Sequence, residues 1–171
     1  MRGILAIMIA VVWVFVFPIK TSALTIINPE TVIEQDTLSL PKVFQLGDYE
    51  SQFEKLSAAH QKSLLTATDD DFDAMFQAWT SMLKEMQAHS ELVNYDLKGI
   101  KMWLNVFWDK NGKIKHIAFF LKPNSKNVDR VELGAFLTDF MNNYTFPVTS
   151  DDKFSHYSGA SFPLFTWKKK Q

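Results

Sequence analysis

The sequence predicts an α+β fold, in which one antiparallel sheet carries two helices packed on one face. The main observation is a β-hairpin over Ile100–Leu121, where two apolar, aromatic halves flank the turn Asp109-Lys110-Asn111-Gly112. Segments with helical spacing, Asp69–Ser90 and Val128–Tyr144, stand on either side of it. An amphipathic helix must bury its apolar stripe, and a hairpin with one apolar face offers the surface for it.

Length and composition limit the class of protein. With 171 residues, of which 15 are Phe and 5 are Trp, the chain can bury the core of a single domain. It contains no cysteine, which excludes disulfides, thiol catalysis, thiolate metal sites and a lipoprotein anchor. The formal net charge of −1 argues against nucleic acid as an electrostatic partner.

The N-terminus has the composition of an export signal. Arg2 precedes an apolar run over Gly3–Phe17, which is shorter than the roughly 20 residues of a membrane span. We therefore expect residues 1–23 to be a cleaved signal peptide and the mature protein to be periplasmic or secreted. The alternative is an uncleaved anchor in the inner membrane, formed by residues 3–19.

The rest of the chain divides into three parts. Residues 24–47 have no clear period and are expected to form an N-terminal lead segment. A single α+β domain follows over residues 48–167, and residues 168–171 form a basic tail. The domain opens with Asp48–His60, whose aromatic and leucine spacing predicts a short helix.

Two further segments are expected to be strands. Lys62–Thr68 is rich in Leu and Thr, although a loop between two helices is the alternative. Ser161–Trp167 is predicted to be the closing strand, and Pro163 favours a position at the sheet edge. Between them in the chain, Phe146–Gly159 is expected to be a loop with some extended character.

The two long helices are predicted from their apolar stripes. The first stripe comprises Phe72, Met75, Phe76, Trp79, Met82, Leu83 and Met86. The second comprises Leu133, Phe136, Leu137, Phe140, Met141 and Tyr144. Four aspartates between Asp69 and Asp73 stand at the start of the first helix, where carboxylates cap free N–H groups. They lack the glycine and glutamate of a calcium loop, so capping is the preferred interpretation.

The register of the hairpin depends on its turn. Asn111-Gly112 as a two-residue type I′ turn would place Ile117, Phe119 and Leu121 on the apolar face that includes Leu104. Ile114 would then fall on the opposite face. A three-residue loop with Gly112 as a bulge would flip the second strand. The hydrophobic pattern favours the two-residue turn.

The other face of the hairpin mixes aromatic and polar side chains, which is unusual for a purely solvated surface. We interpret it as a partner-binding surface with five candidate residues: Trp103, Asn105, Phe107, His116 and Phe120. Three contacts could cover it: the segment Leu24–His60 folding back, a second copy of the chain, or another protein.

The order strand, helix, strand, strand, helix, strand corresponds to a ferredoxin-like split βαβ arrangement. Without a strand at Lys62–Thr68, the order becomes helix, hairpin, helix, strand. Three places then resemble the TonB C-terminal domain: the strand leading into Asp109–Ile114, the loop Pro123–Asn127 with the following helix, and the end Phe162-Pro163-Leu164-Phe165. The resemblance covers about residues 97–165, and the chain is also similar to uncharacterised exported proteins of Gram-negative bacteria.

The resemblance implies a periplasmic domain that docks an extended peptide by strand addition. Energy transduction is not carried over, because that role needs an uncleaved anchor and a long proline-rich spacer. We expect a non-catalytic protein- or peptide-binding module of the cell envelope, without cofactor or metal, that binds a protein or peptide outside the cytoplasm or a second copy of itself. The alternative is an envelope hydrolase with a site on the loop 146–159, where His156 lies among serines.

Overall fold

The computed structural model describes residues 40–164. Nine elements follow one another in the chain: β1 (Val43–Gln45), α1 (Glu50–Ala58), β2 (Lys62–Ser63), α2 (Leu64–Ala67), α3 (Phe72–Leu92), β3 (Lys101–Trp108), β4 (Ile114–Leu121), α4 (Arg130–Asn143) and β5 (Phe154–Ser161). The predicted signal peptide at residues 1–23, most of the predicted lead segment and the basic tail at 168–171 lie outside the described residues.

The five strands form one mixed sheet in the order β1-β4-β3-β5-β2. The central strand β3 is antiparallel to both β4 and β5, whereas β1 pairs with β4 and β2 pairs with β5 in parallel. The predicted α+β class is confirmed, but the expectation of a purely antiparallel sheet is wrong. The two parallel strands contain only three and two residues, too few to display a period of two in the sequence.

Helices α3 and α4 pack on one face of the sheet, as expected. The core between them contains buried side chains from both helices and from the apolar face of the hairpin, including Trp79, Met82, Met86, Met102, Leu104, Val106, Ile117, Leu133, Leu137 and Phe140. The stripe of α3 is shorter than predicted, because Phe72 and Phe76 remain exposed while burial starts at Trp79.

One residue of the aspartate cluster, Asp71, caps α3, so the predicted capping is confirmed for this residue. The Asp71 carboxylate accepts hydrogen bonds from the backbone N–H groups of Asp73 at 2.8 Å and Ala74 at 3.0 Å. Asp69 and Asp70 adopt left-handed conformations with φ of 56° and 59°, which end the preceding helix α2. The helix therefore begins at Phe72 rather than at Asp69.

The predicted strand at Lys62–Thr68 is wrong over most of its length. Only Lys62 and Ser63 are extended, and the chain then turns into α2. The Ser63 hydroxyl causes this change, because it accepts a hydrogen bond from the Thr66 N–H at 3.0 Å and so caps the short helix.

The hairpin has the predicted register along most of its length. Val106 pairs with Ile117 and Leu104 with Phe119, which places the apolar side chains on the core side. The turn, however, is not type I′: only Gly112 has a positive φ, and the Gly112 N–H donates to the Asp109 carbonyl at 3.0 Å.

Two irregularities compensate each other in this hairpin. The loop contains three residues, since the Asp109 N–H donates to the Lys113 carbonyl. The pairing then shifts between Phe107 and Trp108, so that Trp108 lies opposite Ile114 while Phe107 lies opposite His116. This bulge brings Ile114 to the core side, where it is buried, and leaves the rest of β4 unflipped.

The closing strand lies earlier in the chain than predicted. Strand β5 spans Phe154–Ser161, so it occupies the last six residues of the expected loop Phe146–Gly159. It ends at the first residue of the predicted strand Ser161–Trp167, whose residues 165–167 lie outside the described residues. Three of the eight residues of β5 are Ser, and only Phe154 and Ala160 mark its buried side in the sequence.

The first described elements cover part of the sheet face opposite α3 and α4. The ring of Phe53 on α1 meets those of Phe44 on β1 and Phe107 on β3, with centroid separations of 6.3 and 6.0 Å. The end of the predicted lead segment, Val43–Leu46, is thus part of the sheet. Among residues 40–164 there is no helix with the length and apolarity needed to cross a membrane.

Candidate partner-binding face

The sheet face opposite α3 and α4 divides into a covered half and an open half. Residues on adjacent strands that point to this face follow from the register: Trp103 lies between Phe120 and Gly159, and Phe107 between His116 and Ser155. The segment from β1 to β2 crosses the row that contains Phe107. The row that contains Trp103 lies outside this crossing.

Phe107 belongs to the covered half. Its side chain is only 1% exposed, because the rings of Phe53 and His60 pack edge-on against it at centroid separations of 6.0 and 5.2 Å. The Ser155 hydroxyl donates to the His60 carbonyl at 3.2 Å and ties the end of α1 to β5. Of the three covers considered for this face, part of the segment Leu24–His60 therefore occupies the covered half.

Two histidines hold this cover in place. The Nδ1 atom of His60 lies 2.8 Å from the Leu56 carbonyl oxygen, so Nδ1 carries the proton and Nε2 is the unprotonated nitrogen. Nε2 is buried and has no hydrogen-bond partner within residues 40–164. His116 Nδ1 lies 3.1 Å from the Pro41 carbonyl oxygen, directly before β1. A second proton on His60 would place an unpaired charge inside the molecule.

Stability is expected to fall in mild acid. Burial lowers the pKa of His60, His116 and His156 below the ordinary value of 6.5. Below pH 6.5 the unfolded chain binds protons that the native state resists, so this contribution is complete above pH 6.5 and is lost as the pH falls toward the lowered values. Urea unfolding at about pH 7.5 and about pH 5.5 measures the difference.

The His60→Gln, His116→Gln double variant is the control for this pH dependence, since it removes two of the three groups and should reduce the slope. A free energy of unfolding for the unsubstituted chain that is equal at both pH values, or higher in acid, would contradict the assignment of neutral, buried imidazoles.

The open half contains an aromatic cluster with two lysines, which we call the open face. It comprises Lys101, Trp103, Asn105, Phe120, Lys122, Tyr157, Gly159 and Ser161. Trp103, Phe120 and Tyr157 are 38%, 46% and 54% exposed. Large aromatic side chains that are grouped and exposed on a folded chain usually mark a contact with a partner.

Trp103 is held flat by its neighbours. Its ring stacks on Tyr157, with centroids 5.4 Å apart and an interplanar angle of 20°. The Lys122 ammonium lies 4.0 Å from the Trp103 ring centroid, a cation–π geometry. A Cβ atom on Gly159 would stand 3.3 Å from Trp103 Cζ3, so the absence of a side chain there leaves room for the indole. The open face is therefore preorganised before any partner arrives.

The outer edge of β5 borders the open face. Phe162 N–H donates to the Ile100 carbonyl, and hydrogen-bonded pairs alternate along an antiparallel ladder. The N–H and C=O groups of Tyr157, Gly159 and Ser161 therefore point away from β3. On this outer edge, β2 pairs only with Phe154 and Ser155, and no other strand within residues 40–164 pairs with the rest of the edge.

The five residues predicted for partner binding lie in different environments. Trp103 and Phe120 are exposed on the open face, and Asn105 is half-buried between them and the cover. Phe107 and His116 lie in the covered half, where they contact the first described segment of the chain itself. The structure thus brings three of the five together at an accessible surface and places the other two beneath the cover.

Sequence reasoning missed Tyr157, Gly159 and Lys122. Tyr157 and Gly159 fell within a predicted loop. Phe154 and Ala160, which are buried in the core, were therefore not recognised as the opposite face of the same strand. Lys122 directly follows β4, just outside the predicted hairpin Ile100–Leu121. The signal that could have found Tyr157 is the period of two between Phe154 and Ala160.

The alternative hypothesis, a hydrolase site on the loop 146–159, needs a serine nucleophile next to a histidine base, and His156 is not placed in this way. The His156 ring packs against Trp79 with a centroid separation of 4.8 Å, on the core face of β5. Within residues 40–164, no hydrogen bond joins His156 to a serine, and no group of three carboxylate or imidazole side chains is placed to hold a metal ion. Within the same range, the only hydrogen bond from a serine side chain of β5 is the one that the Ser155 hydroxyl donates to the His60 carbonyl.

Comparisons with known proteins add no relative. No protein-family model matches the chain, and no match was found among curated proteins or solved structures. The open face and the β5 edge are therefore interpreted from their own geometry and chemistry.

Proposed function

We propose that this chain is a non-catalytic binding module of the cell envelope that takes an extended peptide by strand addition to the outer edge of β5. The observation that carries the proposal is the coincidence of two features on one strand. The backbone groups of Tyr157, Gly159 and Ser161 point outward, and the exposed aromatic cluster around Trp103 adjoins them. Main-chain bonds of this kind supply affinity, and adjacent side-chain pockets supply specificity.

The sheet topology is suited to this mode of binding. Strand β5 is held on its inner side by β3 over eight residue pairs, so its outer side stays in a regular, extended conformation. An unpaired edge of this kind is a template for another strand. A peptide that pairs there would direct every second side chain to the open face.

The proposal keeps the strand-addition habit that the resemblance to the TonB C-terminal domain implies, and it leaves energy transduction out. The finer description of the fold as TonB C-terminal-like belongs to the same proposal. A location in the periplasm or outside the cell is also part of the proposal, because it is inferred from the composition of residues 1–23.

Selection of phage-displayed random peptides on the purified chain tests this function. Enriched peptides are synthesised with a single N-methyl group at successive positions, and their affinities are measured by fluorescence anisotropy. Methylation should abolish binding at positions whose N–H pairs with β5 and have little effect at the positions between them, because alternate N–H groups point in opposite directions.

Two chain variants locate the site. Trp103→Ala should weaken binding of the selected peptides, whereas Phe72→Ala removes an exposed aromatic side chain on α3, outside the open face, and should leave binding unchanged. Peptides that bind regardless of N-methylation and of Trp103→Ala, or a selection that enriches none, would overturn the proposal.

A further inference from the structure

The Lys122 side chain spans the open face from β4 to β5. Lys122 directly follows β4, yet its ammonium lies over the Trp103 ring on β3. The same Nζ atom is 2.7 Å from the point that a Cβ on Gly159 would occupy. The positive charge of Lys122, a residue that follows β4, therefore lies beside Gly159 on β5, two strands away.

This charge has no counterion in the described part of the chain. The close contacts between basic side chains and carboxylates within residues 40–164 are Lys62 with Asp151, His89 with Asp139, and Lys126 with Asp96. Lys122 and Lys101 belong to none of them, and no carboxylate stands among the strand residues of the open face. An unpaired ammonium beside exposed aromatic surface favours an anionic group on whatever binds there.

The position of that anionic group follows from the strand spacing. A peptide strand added to β5 would lie about 4.8 Å from it, with its residues directly opposite Tyr157, Gly159 and Ser161 on the open face. The residue opposite Gly159 meets no side chain from β5. It faces the Lys122 ammonium instead, within the reach of an aspartate or glutamate side chain.

Building on the proposed function, we infer that the partner is an acidic peptide, in which the residue paired with Gly159 is Asp or Glu and its carboxylate binds the Lys122 ammonium. The peptide residue opposite Tyr157, two positions away, packs against the Tyr157 ring, so an aromatic or apolar side chain is expected at that position. Gly159 then has two roles: it admits the Trp103 ring and the Lys122 ammonium, and it leaves the carboxylate free access.

Parallel selections on three forms of the full chain test this inference, with phage-displayed random peptides as the probe. The unsubstituted chain should enrich peptides that have Asp or Glu at one fixed position of the alternating set. The Lys122→Gln variant should no longer enrich Asp or Glu at that position, but it should still enrich aromatic or apolar residues opposite Tyr157. Lys153→Gln, which removes another exposed lysine, should retain both. Thermal melts establish that each variant is folded.

A double-mutant cycle on one selected peptide completes the test. Changing its acidic residue to the amide should lower the affinity about tenfold for the unsubstituted chain and leave it nearly unchanged for Lys122→Gln. Equal losses for both forms would overturn the inference.

The two proposals fail in different ways. Peptides with the alternating N-methyl pattern and no acidic preference would overturn the acidic partner and leave strand addition intact. A selection without any peptide, or binding of an anionic polysaccharide at Trp103 in place of peptides, would overturn both.

Discussion

Gly112→Val should destabilise the chain by more than about 3 kcal/mol. Two effects add at this position. Gly112 has a φ of +79°, a conformation that costs a residue with a side chain about 1–2 kcal/mol. In addition, even a Cβ atom would stand 2.2 Å from the Phe146 carbonyl oxygen and 2.8 Å from that of Val148. Urea unfolding measures the loss.

The clash matters because the hairpin turn and the loop after α4 are bonded together. Phe146 N–H donates to the Gly112 carbonyl, and Ser150 N–H donates to the Lys110 carbonyl, both at 2.9 Å. The loop cannot retreat without moving Phe146, whose ring stacks on Trp108 with a centroid separation of 4.8 Å. A side chain at Gly112 therefore disturbs the core as well as the turn.

Gly47→Val is the matched control for this prediction. Gly47 also has a positive φ, of +100°, but a Cβ atom there would have no neighbour within 4 Å. The stability that Gly47→Val loses should reflect the backbone conformation alone. This decrease in the free energy of unfolding should be clearly smaller than the decrease caused by Gly112→Val. Equal losses at the two glycines would show that the loop carbonyls move aside at little cost.

The hairpin shows which structural features the alternation of apolar residues can predict and which it cannot. The alternation of apolar residues predicted the pairing of Leu104 with Phe119 correctly, because a buried face specifies register strongly. It could not reveal the three-residue loop and the bulge beside Trp108, since these two shifts cancel over most of the strand. Ile114, which did not fit the simple pattern, was the sign that a bulge was present.

Short and polar elements escaped prediction for physical reasons. Strand β2 has two residues, and its extended state is fixed by pairing with Phe154 and Ser155, far away in the sequence. Strand β5 was placed too late because its solvent-facing positions are filled by Ser, Tyr and Gly. Such strands are determined by their neighbours in the sheet rather than by their own composition.

The same limit applies to the candidate site. The sequence identified Trp103 and Phe120 because the hairpin is locally defined, but it could not separate them from Phe107. Burial of Phe107 depends on α1 crossing the sheet, a contact between residues far apart in the chain. His60 is buried for the same reason.

Phe107→Ala should cost about 3–5 kcal/mol of unfolding free energy, whereas Trp103→Ala should cost about 1 kcal/mol. Both residues are aromatic and lie on the same face of β3, four positions apart, and they differ strongly in burial. Phe107 is 1% exposed under Phe53 and His60, and its removal leaves a cavity. Trp103 is 38% exposed and loses mainly its contacts with Tyr157 and Lys122. Urea unfolding of the two single variants measures both losses, and a loss at Trp103 that equals or exceeds the loss at Phe107 would show that the aromatic cluster of the open face is part of the core and is not available to a partner.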